Sequence, residues 1–530
     1  MKTTHYFKNL LLTFVLLLPI AVIAQKVDLE KTYKITGASK RGTLSNVEYD
    51  KDKGYTLTYV TKSNEKMAKF QIYTFDKEFN FINMVEDEQE FEKAKTKYKW
   101  FRYKGEEYTT EGMFVEPNLA GSLVLRKKQT TYKYNWFYGG YHGDTKVMEK
   151  VKPRTEDGRT FFYYTHAEDD ITGDACILVG ARDKKDPWAY TKNFSVLRYS
   201  KELDLVKEVK FTLGFPQSLA FSRVFSKPNP EDPDNPGFGG MIFVFAPMGG
   251  PGMGKVANED RSAYTYVRVN ENLEIVDNIP FKSFASYWKI DEAIRDISTD
   301  DIYIYGPSAA GKDKYFQMSS NTSKFKAVQL MKVSNHQIAY FTETNLEEFK
   351  TKLQLPPSQK KSPEYEGKRF EIANYYVASN GDFFVIGQNF ETSKEGNRYN
   401  DVLGFQFDSK GVLKSQYGID TKESNKYAKA AGAPQSLVQS KDGKYIYWLL
   451  LEIRGVALFK GKVLTYPRIG KIDLASGKVS NFLDVRGPDD DYYLDAKFPF
   501  IEMEDKNEVV FFGSDKPGKN IWFVKIKVEN

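Results

Sequence analysis

Short apolar runs recur along this chain at intervals of about 60 residues, each flanked by turn-forming residues. The clearest copy lies in residues 381–418, where the apolar run Phe383–Ile386 follows a turn at Asn380–Asp382. A second strand pattern follows at Val402–Phe407, and a tight turn leads to a third from Val412. Runs of this kind, bounded by Gly, Asn and Asp, are typical of strands joined by hairpins.

Similar runs occur in the rest of the chain. They are Tyr55–Val60, Ser122–Leu125, Ala175–Gly180, Met241–Ala246, Ile302–Gly306, Tyr445–Leu450 and Val509–Gly513. One small sheet cannot bury both of its faces, so the copies have to stack on one another. The pattern predicts an all-β fold, a single β-propeller of eight blades, or seven if residues 100–150 form no full blade. We expect the segment Val27–Ile35 to supply the outer strand missing after Ile521–Val528 and so close the ring.

The first 24 residues have the pattern of a secretory signal peptide. Lys2 and Lys8 precede an apolar run from Leu10 to Ile23 that is too short for a membrane anchor. We therefore expect cleavage before Gln25, export from the cytoplasm, and a propeller domain over residues 25–530. No later segment has the length and apolar character of a transmembrane span.

Composition excludes several classes of partner and architecture. The net charge is +6 over 530 residues, and the lysines alternate with acidic residues, so no basic stripe for nucleic acid exists. The single cysteine, Cys176, lies in an apolar run, which excludes disulfides and predicts a buried thiol. Helical patterns are few: Glu86–Lys97 is a helix or a solvated loop, and Thr344–Leu353 is a helix with a capping box at Thr344 and Glu347.

Several stretches imitate chemical motifs. Gly306–Lys312 matches most of a phosphate-binding loop, but Asp313 replaces the expected hydroxyl and no helix pattern follows, so a hairpin loop is predicted. Three acidic clusters lack the spacing of a calcium loop and are interpreted as solvated turns: Glu168–Asp170 with Asp174, Glu231–Asp234, and Asp489–Asp491 with Asp495. The scattered histidines His142, His166 and His336 predict no zinc site. We therefore predict no catalytic residue, metal, nucleotide or cofactor.

A Gly/Pro-rich loop is the predicted contact with a protein partner. Two methionines lie in this loop. The candidate contact residues are Met248, Gly249, Gly250, Pro251, Gly252, Met253 and Lys255. Such a segment gains little from ordering unless it meets a partner. Leu346 and Phe349 on the predicted helical insertion are further candidate contacts, and the Pro-rich Lys227–Gly237 is interpreted as a loop between adjacent strands.

The segment Ser440–Tyr447 resembles the turn and strand of TolB-type propeller repeats, with Ser379–Asp382 as a looser version. The leader and the Lys/Tyr/Asn-rich chain look like those of exported Bacteroidetes proteins. A periplasmic propeller of this size is similar to the plug subunits of the type IX secretion translocon. This resemblance implies a non-enzymatic interaction subunit that docks on an outer-membrane translocon barrel. The alternative is a secreted glycan-active or metal-dependent propeller enzyme, or a sugar-binding module.

Overall fold

The structure is a computed structural model in which strands dominate. The residues that it describes are 26–64, 67–90, 96–100, 103–118, 121–135, 140–181, 191–229, 236–247, 260–285, 287–308, 324–394, 396–422, 428–457, 462–485, 492–495, 500–503 and 508–527. The strands in these ranges pair antiparallel, apart from one short parallel contact at Leu353–Gln354. The prediction of an all-β fold is confirmed.

The strands follow one another as four-stranded meanders, which we call units. Unit 1 contains β2 (Thr43–Asp50), β3 (Gly54–Asn64), β4 (Met67–Phe75) and β5 (Phe81–Glu90). Unit 2 contains β6 (Thr96–Trp100), β7 (Tyr103–Pro117), β8 (Leu123–Asn135) and β9 (Gly140–Val151). Unit 3 contains β10 (Phe161–Asp169), β11 (Asp174–Ala181), β12 (Thr191–Tyr199) and the first half of β13 (Leu205–Lys227). Unit 4 contains the second half of β13, β14 (Gly237–Ala246), β15 (Ala263–Val269) and β16 (Ile275–Lys282).

The second half of the chain repeats the same arrangement. Unit 5 contains β17 (Glu292–Arg295), β18 (Ile302–Ser308), β19 (Ala327–Ser334) and β20 (Gln337–Asn345). Unit 6 contains β22 (Phe370–Val377), β23 (Phe383–Ser393), β24 (Gly396–Phe407) and β25 (Leu413–Ile419), with β21 (Leu353–Gln354) beside β25. Unit 7 contains β26 (Gln435–Gln439), β27 (Tyr445–Ala457), β28 (Lys462–Asp473) and β29 (Leu483–Asp484). Unit 8 begins with β30 (Tyr492–Leu494) and β31 (Phe500–Met503), which pair one after the other with the same edge of β32 (Glu508–Asp515). It continues with β33 (Asn520–Lys527) and ends with the N-terminal β1 (Lys26–Lys34). These meanders form a β-propeller, and the choice between eight and seven blades stays a prediction.

The two ends of the described chain meet in unit 8. Strand β1 pairs antiparallel with β33, from Lys26 opposite Lys527 to Lys34 opposite Asn520. The indole N–H of Trp522 donates to Glu30 Oε1 at 2.7 Å across this pair. Because β1 covers the edge that β33 would otherwise expose, the predicted closure by the N-terminal strand is confirmed.

The first strands of successive units are neighbours. Arg223 Nη1 on β13 lies 3.3 Å from Glu292 Oε2 on β17. The Asn374 side chain on β22 donates to the Gln435 carbonyl on β26 at 3.3 Å. Last strands lie on the outside, as the exposed Val85 on β5 illustrates. In units 6 and 8 the last strands, β25 and β33, are covered by the additional strands β21 and β1. First strands therefore surround the centre of the ring and last strands form its rim.

Second strands supply the core, and glycine near their ends admits the first strand. The run Phe383–Ile386 is fully buried. A Cβ at Gly387 would lie 2.2 Å from the Glu371 carbonyl oxygen, and one at Gly306 would lie 1.9 Å from that of Lys289. Only a residue without a side chain lets two backbones approach so closely. This contact gives a physical reason for the glycine that ends several of the sequence repeats.

Within the described ranges, two short helices interrupt the strands: α1 (Gly37–Arg41) and α2 (Leu346–Thr351). The predicted helix boundaries and cap were wrong by one to two residues. Thr344 belongs to β20, and Asn345 is the N-cap, with its N–H donating to Glu348 Oε1 at 3.3 Å. The helix ends early because Leu353 pairs with Gln416 as a strand residue. Among the described residues, no helix is both long enough and apolar enough to cross a membrane.

The region Glu86–Lys97 is a correction to the sequence analysis, which predicted a helix or a solvated loop. Residues 86–90 continue β5 and pair with β4 as far as Glu90 opposite Met67, and β6 begins at Thr96. The Lys69–Glu88 ion pair, 2.7 Å long, joins the same two strands. These residues are good helix formers, but pairing with a neighbouring strand outweighs their intrinsic helix propensity.

Candidate functional site

A cleft of about 400 Å³ lies between the first strands of units 5 and 6. The segment that leads into β17 forms one wall, and β22 forms the other. The lining side chains combine charge with aromatic surface. They are Lys289, Asp291, Glu292, Phe370, Glu371, Ile372, Ala373, Asn374, Tyr375 and Phe390. A concave site with a few polar groups among aromatic side chains is the usual form of a small-molecule site.

The chain segment that carries Asp291 is held rigidly against β18. The Lys289 and Asp291 N–H groups donate to the Pro307 and Tyr305 carbonyls, both at 3.0 Å. The Trp288 indole is buried and donates to the Gly306 carbonyl at 3.0 Å. Three residues of this segment are thereby hydrogen-bonded to the backbone of β18, so the cleft wall does not depend on a mobile loop.

Asp291 has the most unusual electrostatic environment in the cleft. Burial among aromatic side chains raises the pKa of its carboxyl, and Lys289, whose Nζ lies 2.8 Å from Oδ1, offsets this shift only in part. The side chain still keeps 24% of its surface exposed, so a molecule in the cleft can reach it. A carboxyl of this kind can carry a proton at a pH where ordinary aspartates are ionised.

The other two carboxylates of the cleft have direct partners. Glu292 forms the ion pair with Arg223 described above. Glu371 Oε2 accepts a hydrogen bond from the Tyr399 hydroxyl at 2.6 Å. The cleft therefore contains one carboxyl biased towards the protonated form, one paired with an arginine, and one that accepts a hydrogen bond from a tyrosine. Carboxyl groups in such different environments are typical of acid–base sites.

Phenol groups surround Asp291. Burial, and then the nearby Asp291 and Glu292, raise the pKa of Tyr375 far above its ordinary value. Burial likewise raises the pKa of Tyr305, whose ring centroid lies 6.2 Å from that of Tyr375. Both hydroxyls thus stay protonated at any physiological pH and can donate hydrogen bonds. Phe370 and Phe390 add apolar surface at the same cleft.

Of the predicted partner contacts, the structure describes only Leu346 and Phe349. Met248, Gly249, Gly250, Pro251, Gly252, Met253 and Lys255 lie outside the described residues. Phe349 is fully buried, with its ring 5.0 Å from Phe405 and 5.6 Å from Tyr365, and Leu346 packs against the same cluster. Phe349 therefore presents no exposed surface, and neither helix residue joins the cleft.

The motifs that imitate chemistry have structural roles where they are described. Gly306 and Ser308 belong to β18, and Ser308 pairs with Ala327 across the connection to β19, as the predicted hairpin requires. Asp169 accepts the Ile171 N–H at 3.1 Å, and Asp174 contacts Arg198 Nε at 2.7 Å, so this acidic cluster is a partnered turn. Of the other two clusters, the structure describes only Asp495.

Neither Cys176 nor the histidines lie in the cleft. Burial raises the pKa of the Cys176 thiol to about 12. His166 Nδ1 is hydrogen-bonded to the Tyr163 hydroxyl at 2.8 Å, and burial lowers the pKa of His166. His336 contacts Asp277 at 2.8 Å on the side of unit 5 that faces unit 4. In the part of the chain that the structure describes, no three His, Cys, Asp or Glu side chains are grouped so that they could hold a metal ion.

No pattern in the sequence predicted the cleft. The sequence signal of the cleft is Trp288-Lys289-Ile290-Asp291-Glu292, three charges shortly before the fully buried strand β18. Charged side chains in the strand that faces the centre of a ring cannot be explained as an outer solvated surface. The position of that strand, however, becomes evident only after the units are assembled.

No family model and no curated protein matches the chain. Among solved structures, it is similar to a lignostilbene dioxygenase from Pseudomonas brassicacearum, with 12% identity, TM-score 0.28, and coverage of 88% of this chain and 93% of that one. It is also similar to an apocarotenoid oxygenase from Synechocystis, with 10% identity, TM-score 0.26, and coverage of 87% of this chain and 94% of that one. The WD40 domain of SCAP from fission yeast has 10% identity and TM-score 0.23, with coverage of 95% of this chain and 96% of that one.

These neighbours contradict the predicted function. The sequence analysis expected a non-enzymatic interaction subunit, whereas the oxygenases found by the comparison are enzymes. The prediction of a non-enzymatic protein is therefore withdrawn. At these scores, the likeness transfers no activity, substrate or site residue, so the function has to be argued from the cleft itself.

Proposed function

We propose that this protein is an enzyme that cleaves a carbohydrate by general acid–base chemistry in the cleft between units 5 and 6. The observation that carries the proposal is the reachable Asp291 carboxyl, whose pKa burial raises, in a cleft that also contains Glu292 and Glu371. A general acid must be protonated at the working pH, and burial is the usual means of achieving this.

The cleft offers a role for each kind of side chain. Asp291 gives its proton to the glycosidic oxygen as the bond from that oxygen to the sugar carbon breaks. Glu371, on the facing strand, accepts a proton from the water whose oxygen bonds to that carbon. Water is thus split between the two products, and no oxidant or metal is required. Phe370 and Phe390 provide apolar surface for a sugar ring, and Tyr375 provides a hydroxyl donor.

The test is a screen for new reducing ends with soluble plant, algal and bacterial polysaccharides. On a substrate that the wild type cleaves, Asp291→Asn should lower kcat by roughly 10²–10⁴-fold, because the proton donor is lost. The activity of the wild type should fall as the pH rises through the pKa of Asp291. Glu347→Gln, at an exposed position of α2, is the matched control and should retain full activity.

Two results would overturn the proposal. One is the absence of cleavage across the whole panel by a folded, monodisperse wild type. The other is an Asp291→Asn variant that turns over at the wild-type rate.

We also propose that the chain works in the periplasm, with the leader at residues 1–24 as the support. N-terminal sequencing of the fractionated protein should begin at Gln25, and recovery from the cytoplasm with Met1 intact would contradict it. Association with an outer-membrane barrel stays a prediction that no described residue tests.

A further inference from the structure

A second, smaller cavity opens beside the cleft. Its volume is about 30 Å³, and it shares Lys289, Asp291 and Phe370 with the cleft. Lys368 and Arg369 also line it, so three cationic side chains surround a very small space. That space has room for one or two water-sized groups and not for a sugar ring. It is suited to a single substituent of a molecule whose body lies in the larger cleft.

Arg369 has a charge that the fold leaves without a counter-charge. Among the described residues, no carboxylate lies within ion-pair distance of its guanidinium, and its buried Nε atom has no hydrogen-bond partner. Arginines elsewhere in the ring, such as Arg198 and Arg268, have carboxylate partners at 2.6–2.7 Å. A buried donor without a partner costs free energy, so a guanidinium in this state is suited to receive an acceptor from a ligand.

The backbone at Arg369 is also unusual. Its φ of 51° lies in the left-handed region, which residues other than Gly adopt only at a cost in free energy. The Arg369 carbonyl accepts the Phe390 N–H at 2.9 Å, so unit 6 itself enforces this conformation. Strain of this kind persists where the surrounding structure fixes it, and ligand clamps are a frequent location.

The neighbouring cations strengthen the attraction of the cavity for an anion. The partner of Lys368 is Glu366, at 3.4 Å, an exposed side chain. Lys289 is paired with Asp291, and it loses this counter-charge whenever Asp291 carries a proton. The cavity is therefore most cationic in the state in which Asp291 can act as an acid.

We propose that this cavity binds an anionic substituent of the sugar, a uronate carboxylate or a sulfate ester, with Arg369 as its main contact. The substrate of the proposed reaction is then an acidic glycan, and this inference rests on the proposed function. Arginine suits such a group because its planar fork donates two parallel hydrogen bonds to two oxygens. Lys289 and Lys368 add charge without that geometry.

Calorimetric titration with three trisaccharides of equal length tests the proposal, one neutral, one built of uronic acids and one sulfated. All titrations use Asp291→Asn in the full-length chain, because this substitution is expected to slow turnover. Adding Arg369→Gln should weaken binding of one acidic probe by tenfold or more and leave the neutral probe unaffected. Which acidic probe responds identifies the carboxylate or the sulfate. Arg159→Gln, at an exposed arginine between β9 and β10, is the control and should change nothing.

The outcomes separate this proposal from the enzymatic one. Equal binding of neutral and acidic probes, or an Arg369→Gln variant with unchanged affinity, overturns the anion site even if neutral glycans are cleaved. Arg369-dependent binding of an acidic probe without any cleavage by the wild type supports the anion site and overturns the enzyme. Arg369→Lys, which keeps the charge and loses the fork, should bind the acidic probe with intermediate affinity.

Discussion

Arg468 in unit 7 and Arg369 at the start of unit 6 are treated in opposite ways by the same fold. The Arg468 side chain is only 6% exposed and forms an ion pair with Glu452. It also donates a hydrogen bond to the Asp420 carbonyl at 3.0 Å. Its Nε lies 3.2 Å from Asp484 Oδ1, an ion-pair contact without hydrogen-bond geometry. Arg369 has no such carboxylates among the described residues. A charge that the chain satisfies itself stabilises the structure, whereas one left unsatisfied beside a cavity is available to a ligand.

The strongest test of this comparison removes a carboxylate from the unit 7 network. Glu452→Ala leaves Arg468 buried with its main partner gone, so the free energy of unfolding should fall by about 3–5 kcal/mol. Arg369→Ala removes a charge that has no protein partner and should change it by less than about 0.5 kcal/mol. Urea denaturation followed by tryptophan fluorescence measures both. If Arg369→Ala is as damaging as Glu452→Ala, Arg369 is structural and the comparison fails.

Gly306 allows the cleft wall itself to be moved. A Cβ at this position would lie 1.9 Å from the Lys289 carbonyl and 2.9 Å from the Asp291 N–H nitrogen, so Gly306→Ala has to displace that segment. We expect a loss of about 1–3 kcal/mol in unfolding free energy together with weaker binding in the cleft. Gly214→Ala is the matched control, because a Cβ there meets nothing within 4 Å. Equal thermal midpoints for the two variants would show that the wall is not fixed by β18.

The sequence predicted the ring well and the site poorly, for a physical reason. Strand runs such as Phe383–Ile386 are local patterns, and the closure by Val27–Ile35 follows from one missing strand. The cleft, in contrast, joins Asp291 to Phe370 and Tyr375, which lie far apart in the chain and meet only when units 5 and 6 pack together. Phe349 shows the opposite error, since a helical pattern does not reveal that Tyr365 and Phe405 will cover that face.

The smallest expected effect is the loss of folding stability that results from ionising the buried Asp291 carboxyl. Burial raises the pKa of Asp291 in the folded protein above its unfolded value, near 3.8, so the folded state binds the proton more tightly. Stability must then fall as the pH rises from the unfolded pKa to the folded one, because the folded protein has to ionise a carboxyl that it disfavours. Asparagine resembles the protonated carboxyl, so Asp291→Asn should unfold a few degrees higher than wild type at pH 7, with no difference below the unfolded pKa.

Asp260 provides a control of opposite sign for this prediction. Hydrogen bonds from Ser262 lower its pKa to about 2, so its contribution is present above the unfolded pKa and disappears as the pH falls towards 2. Asp260→Asn should therefore not raise the unfolding temperature at pH 7. Thermal unfolding of both variants between pH 3 and pH 8 measures the sign of both stability changes.

A stabilised but inactive Asp291→Asn variant is the expected result if the carboxyl is retained for catalysis, since active sites commonly sacrifice stability. A destabilised one would mean that the Lys289 ion pair outweighs burial, and that Asp291 belongs with Arg468 among the structural charges.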